Sequence, residues 1–197
     1  MKRIHPRRYF RKLRRWFHNC SFVLSCRCKG IKVSIGDNTI LSHCSVHGDK
    51  TCEIIIEDNC SISYSSFRFY GEGGRIIIRE RTGINSFSSG RTSFFVRGKT
   101  CIEIGKDCLI AHTVDIATTD FHSVLDSDRR VMNADSSVII GNHVWIGKRV
   151  TINKGSRIPD ESIVGASSVV TKGFFECNVL IAGNPAMVKK HGVDWQR

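Results

Sequence analysis

No stretch of this 197-residue chain is apolar for long enough to span a bilayer, which excludes a membrane-crossing helix within it. Acidic residues are missing from positions 1–30, where ten of the thirty Lys and Arg lie. The remaining twenty cations nearly balance the eighteen acids, so the basic charge belongs to one short arm and gives no general argument for nucleic-acid binding. A disulfide framework is lacking too. Nine cysteines is an odd number, Cys26-x-Cys28 is not Cys-x-x-Cys, and no paired His–Cys spacing suggests a structural zinc. The thiols read as reduced, apolar filler in a cytosolic protein. Val23-Leu24-Ser25-Cys26 has the outline of a lipoprotein cleavage site, but His18, Asn19 and Cys20 interrupt the short apolar segment before it, and the expectation is no export signal.

What the chain does have is a rhythm. Every sixth residue from Ile140 to Val170 is a β-branched aliphatic: Ile140, Ile146, Ile152, Ile158, Val164 and Val170. Helices need apolar spacing near 3.6 and ordinary strands need period 2, so period six signals a stacked repeat of one short strand and one turn. The same steps run from Ile104-Gly105 through Ile110-Ala111 to Ile116-Ala117. Upstream, from about Lys32, the steps stretch to 21 residues (Ile35 to Ile56) and 22 (Ile56 to Ile78), and turns of more than minimal length are expected near His47–Glu53 and Tyr70–Arg75. Glycine, Asn and Asp are expected at the corners. Cys60 and Cys108 fall where the repeat wants a small residue.

The stretch Ile139-Ile140-Gly141-Asn142-His143-Val144-Trp145-Ile146-Gly147 through Asn153 resembles the hexapeptide-repeat acyltransferases, most closely the polysaccharide and sugar O-acetyltransferases. That resemblance implies an all-β fold, a left-handed parallel β-helix with three hexapeptides per triangular coil. The spacing alone does not fix the hand. The resemblance is generic over the first hundred residues and specific from Ile104 to Lys189. The expected organisation is a basic N-terminal arm at 1–30, the β-helix at 31–188 and a tail at 189–197.

The rhythm breaks once. Ile116 and Ile140 are 24 residues apart, so about 117–138 must project as a loop, and long loops on rigid scaffolds commonly carry function. The family resemblance places the catalytic base in the Asp-x-His of this loop, here His122, with Asp120 as an acceptor-binding residue or the group that orients the imidazole. The chemistry needs only one such side chain. Acetyl-CoA is an activated thioester, and an imidazole titrating near pH 6.5 in general takes the proton of an attacking alcohol and returns it to the departing thiolate. No covalent acyl-enzyme is required. His43, His47, His112 and His143 lie near coil corners, where solvent-facing polar residues are ordinary, and no metal-ligating set is expected.

In the family the acetyl-CoA groove lies between adjacent subunits of a homotrimer. The resemblance carries cofactor contacts to Trp145, Lys148, Ala166, Thr171, Lys172 and Lys190, and an acceptor contact to Asn85. For Trp145, packing between subunits is the competing reading. Gly173-Phe174-Phe175-Glu176-Cys177-Asn178 departs from the family's usual loop. Within the arm, Tyr9, Leu13, Trp16, Phe17 and Cys20 form an apolar stripe opposite Arg7, Arg8, Arg11, Arg14 and Arg15. Such a helix suits either a cap on the open solenoid end or peripheral contact of residues 1–20 with anionic lipid at the inner membrane face. The expected activity is O-acetylation of a sugar hydroxyl in capsule or surface polysaccharide biosynthesis, in the cytoplasm. Two rivals stand beside it: an N-acetyltransferase of an amino sugar or antibiotic, and a non-catalytic β-helix scaffold.

Overall fold

The computed structural model describes residues 19–27, 29–48 and 51–197. The predicted helix of the arm lies almost entirely outside them. Residues 32–191 form a left-handed parallel β-helix whose strands stack into three sheets, the faces of a triangular prism. The first face holds six parallel strands from Lys32–Ile35 to Arg157–Ile158. On the second, parallel strands run from Ile40–Ser42 through Trp145–Ile146 and Ile163–Val164 to Val179–Gly183, and Ala186–His191 then turns back antiparallel. The third face stacks six strands from Ser45–His47 to Val169–Val170.

The six-residue rhythm maps onto this stacking. One residue per strand points into the prism and lies over its equivalent one coil away: Ile110 on Ile146 on Val164 along the second face, and Phe94 on Ile116 on Ile152 along the third. These side chains are fully buried. Each contributes roughly 1.5–3 kcal/mol by leaving water, and the columns are continuous because parallel pairing holds the register from coil to coil.

Left-handed backbone recurs at the corners; residues other than glycine supply it after the first and second faces, and Gly98 and Gly155 supply it after the third. Asp107, His143 and Glu161 take φ of 56°, 51° and 57° after the first face, and Thr113, Arg149 and Ser167 take 59°, 57° and 60° after the second. A buried residue such as Cys108, Val144 or Ser168 follows each. Other glycines serve close approach of coils. A Cβ on Gly147 would lie 2.7 Å from the Ala166 nitrogen, and one on Gly141 would lie 2.6 Å from that of Asp160.

Two features of the early coils differ from the sequence expectation. The extra length before Arg75 is only partly turn: third-face strands Ser65–Tyr70 and Thr92–Arg97 each run six residues and pair along their whole length. A second small excursion, unmarked by the rhythm, lies at 86–91, where Phe87 bridges Gly90.

The helix described over 19–27 covers the open end of the first coil. Its Phe22 and Cys26 are buried in the prism core, Phe22 edge-on to Phe67 at 5.5 Å. Asn19 donates to the Thr39 carbonyl and accepts from the Leu41 N–H, satisfying edge groups that a solenoid end would leave bare. No described helix is long and apolar enough to cross a membrane.

Candidate active site

The long loop leaves the third face after Asp115–Ala117 and rejoins the first at Val138–Ile140. Its root is tied to the prism: Thr118 donates its N–H to the Phe95 carbonyl, Ser136 donates to the Thr118 carbonyl, and the Cys101 N–H donates to Ser137 Oγ. Farther out a polar clip holds the loop. Lys154, on the coil below, has its Nζ 2.7 Å from Asp120 Oδ2 and also donates to the Asn133 carbonyl. Asn133 Nδ2 donates to both Asp120 Oδ2 (2.8 Å) and the His122 carbonyl (2.9 Å), while its Oδ1 accepts from the Val124 N–H. The Lys154 ammonium, with the Asn133 amide second, holds the Asp120 carboxyl below the ordinary carboxylate range.

This network fixes the backbone on both sides of His122 and leaves its imidazole exposed. No described side chain hydrogen-bonds that ring. The expectation that Asp120 orients it is therefore corrected: the carboxylate is engaged by Lys154 and Asn133 and acts on His122 only through the backbone.

A groove of about 490 Å³ runs along the second face and its following corner, lined by Ala111, Trp145, Ile163 and Leu180 with Gly147, Lys148, Gly165 and Ala166 at the rim. It is predominantly apolar and open to solvent, and Gly147 and Gly165 add no side chain to it. Trp145 is 40% exposed, so its indole is a wall of the groove and no part of the core. Asn85 ends strand Gly83–Asn85 in the same corner column, one coil before Ala111. Lys190 pairs in register with Leu180 at the groove's far end.

Thr171 and Lys172 are placed elsewhere. They follow Val169–Val170 at the corner after the third face, where Lys172 Nζ lies 5.6 Å from the Phe174 ring in a separate cleft. His122 projects from that same corner line, coils away. One chain thus carries a groove at one prism edge and the histidine loop at another.

Three participants escaped the sequence reading. His112 lines the groove, with its ring 5.3 Å from Phe87 and its Nδ1 against Thr113 Oγ1; its equivalence to Lys148 in the corner column was the available signal. Asn133 had no signal at all. Trp195 is 8% exposed and stacks on His143 at 4.5 Å. Its Nε1 donates to the His143 carbonyl, and its ring lies 6.3 Å from Trp145, buttressing the groove wall. Beside it, ligand-type atoms of His143, Glu161 and Asp194 lie within 4.8 Å of one another.

Cys20, Cys26, Cys44, Cys60, Cys101, Cys108 and Cys177 are free thiols. Burial pushes the thiols of Cys26 and Cys44 up to about 11 and that of Cys108 to about 12, so these three stay protonated at neutral pH and make poor nucleophiles.

No protein-family model matches the chain. Individual proteins do. The chain is 34% identical over 187 residues to the polysialic acid O-acetyltransferase of Neisseria meningitidis, covering 85% of each. It is 42% identical over 88 residues to the galactoside O-acetyltransferase of Escherichia coli K12, covering 44% of this chain and 42% of that protein. Among solved structures, the polysialic acid O-acetyltransferase OatWY superposes with a TM-score of 0.70 at 28% identity, covering 85% of this chain and 88% of that one.

Proposed function

Because this chain belongs to the hexapeptide-repeat sugar O-acetyltransferase family, we propose that it moves the acetyl group of acetyl-CoA to a hydroxyl of a capsular or other surface polysaccharide, with His122 as general base. One observation carries the reading: a solvent-open apolar groove walled by Trp145 and an exposed, unengaged imidazole on a clipped loop, at two edges of one prism. The groove suits the donor. Trp145, Ile163 and Leu180 offer apolar wall to a pantetheine arm, glycine at 147 and 165 lets it lie against backbone, and Lys148 and Lys190 offer charge to phosphates.

The loop suits the chemistry. His122 takes the acceptor hydroxyl proton as the new C–O bond forms at the thioester carbonyl. It then gives that proton to the sulfur as the C–S bond breaks, so atoms and charges balance without an acyl-enzyme. The raised thiol pKa values of the buried cysteines support direct transfer. Asp120 positions the loop through Lys154 and Asn133, and Asn85, in the corner column of the groove, contributes an acceptor contact.

With histidine and groove on different edges, a site with both needs two copies. A cyclic homotrimer closes that arrangement, His122 of one subunit meeting the groove of its neighbour. Thr171 and Lys172 then reach the donor from the histidine-bearing side. The enzyme works at the cytoplasmic side of glycan assembly, where the cations of residues 1–30 suit contact with anionic lipid.

The test incubates the protein with acetyl-CoA and a glycan panel, amino sugars included, and reads acceptor mass. Gain of one acetyl on a hydroxyl, lost in His122→Ala while acetyl-CoA still binds, supports the reading. Undiminished transfer by His122→Ala, or transfer only to amines, contradicts it.

A further inference from the structure

Resting on the transferase reading, we propose that the outer surface of the third face beside His122 is an acceptor platform for an acidic polysaccharide, and that Arg68 recognises a sugar carboxylate. The surface comes from the two lengthened strands. Strands Ser45–His47 and Asp115–Ala117 on this face have three residues, whereas Ser65–Tyr70 and Thr92–Arg97 have six, paired from Ser65↔Thr92 to Tyr70↔Arg97. The added length carries Tyr70 and Arg97 outward to the root of the histidine loop.

There Phe121 stands edge-on to both Tyr70 (5.7 Å) and Phe95 (5.4 Å), and the next residue is His122. The Arg97 guanidinium donates to the Phe121 carbonyl at 2.9 Å, with Asp135 3.8 Å away. Arg68 lies across from Phe95 in register, its guanidinium carbon 5.5 Å from that ring. Tyr70 and Phe121 are 40% and 42% exposed, so aromatic surface is presented to solvent next to the proposed base.

Arg79, at the corner after the first face, behaves differently. It is spent on Glu57 and Glu103, both at 2.7 Å. Exposed Arg68 has no described carboxylate partner, and its one described hydrogen bond is from Nε to Ser66 Oγ. A guanidinium set over a ring without a carboxylate partner can offer its fork to a planar carboxylate, which it grips with two parallel hydrogen bonds. Flanking rings offer flat apolar surface to the C–H faces of sugars. The adjacent outward column holds small side chains, buried Ser66 and half-buried Ser93, which do not obstruct a chain lying along the surface. The platform therefore fits a linear glycan with one carboxylate near the acetylated unit, and neutral chains fit it less well.

The experiment measures binding without acetyl donor, using oligomers of α2,8-linked sialic acid and of galacturonic acid, their carboxyl-reduced counterparts, and a single-stranded polynucleotide. Wild type should bind at least one acidic oligomer on the order of tenfold more tightly than its reduced form, with affinity falling as salt rises. Arg68→Gln should lose about tenfold on that acidic oligomer and nothing on the reduced one, and Arg68→Lys should recover only part, because an ammonium lacks the fork. Acetyl-CoA affinity should be the same in all three proteins. Equal binding of acidic and reduced oligomers, an unaffected Arg68→Gln, no binding of either acidic oligomer, or tighter binding of the polynucleotide overturns the platform. Binding without any acetyl transfer would sink the transferase reading alone. Transfer to neutral glycans, unaffected by Arg68→Gln, would sink the platform alone.

Discussion

Replacing Lys154 with Met should slow acetyl transfer on the order of 10- to 100-fold while leaving the prism folded. Lys154 reaches from the regular coils into the clip of the histidine loop, while Arg97 holds the Phe121 carbonyl beside it. Lys154 holds Asp120 Oδ2 at 2.7 Å and the Asn133 carbonyl, and Asn133 holds the His122 carbonyl in turn. The Lys154 side chain is 18% exposed and that of Asp120 44%, so the pair is partly screened and belongs near the upper end of the surface range, about 1 kcal/mol. The charged donor to a backbone carbonyl adds roughly 1.5–3 kcal/mol. Their sum falls on a loop with little buried apolar surface, where it decides how much of the time the imidazole is in place. Methionine keeps the stem's volume and deletes the charge. Steady-state kinetics and thermal melting are the assay: kcat should drop, the KM for acetyl-CoA should stay within about twofold because the groove lies on another edge, and the melting temperature should move little. A kcat within twofold of wild type in a folded protein would show that the loop is held by something else.

The clip should also fail in acid. Because Lys154 and Asn133 depress the Asp120 carboxyl, its contribution is fully present above the unfolded value of about 3.9 and is lost as pH falls through the lower folded value. Amide exchange over 120–133 should accelerate only in that acidic window, and acceleration already at pH 6 would contradict it. Trp195→Ala removes the ring behind Trp145 and should raise the KM for acetyl-CoA on the order of tenfold with kcat nearly unchanged; equal loss in both would mean a general structural role. Ile152→Ala opens a cavity in the third-face column and should destabilise by about 2–5 kcal/mol in denaturant melts, whereas a cost under about 1 kcal/mol would mean that the column is not packed as described. Cys108, buried and held as a thiol near pKa 12, should resist iodoacetamide at pH 8 in the native protein, and Cys108→Ser should retain transfer.

The prism was legible because its repeat is chemical as well as geometric. A strand whose inward residue recurs every six positions can bury that residue only by stacking, and Ile116 on Ile152 or Ile146 on Val164 are the outcome. The loop was legible as an interruption of 24 residues between Ile116 and Ile140. Its clip was not, since Asp120, Asn133 and Lys154 share no spacing and meet only after the loop folds back on the coil below. The corners were misread in part. Asn, Asp and glycine do take left-handed backbone, as at Asn59, Asp107 and Gly155, but so do Arg149, Thr113 and His143, and glycines such as Gly147 mark where two coils touch. The groove was half legible: Trp145, Lys148 and Ala166 share it, His112 and Leu180 were passed over, and Thr171 and Lys172 belong to another corner. The lengthened strands at 65–70 and 92–97 hid because Phe67-Arg68-Phe69-Tyr70 and Phe94-Phe95-Val96-Arg97 interrupt the aliphatic rhythm.

The claim on which the rest turns is that the imidazole of one copy serves the groove of another. His122→Ala keeps the groove and loses the base; Ala166→Trp keeps the base and fills the groove rim. Each alone should be inactive. Co-refolded in equal amounts into mixed trimers, they should recover about a quarter of wild-type transfer, the fraction of neighbouring pairs that combine an intact histidine with an intact groove in a cyclic assembly. Recovery at that level fits a site shared between subunits. Mixed trimers as inactive as their parents would show that each chain must supply both halves itself, and the account would fall.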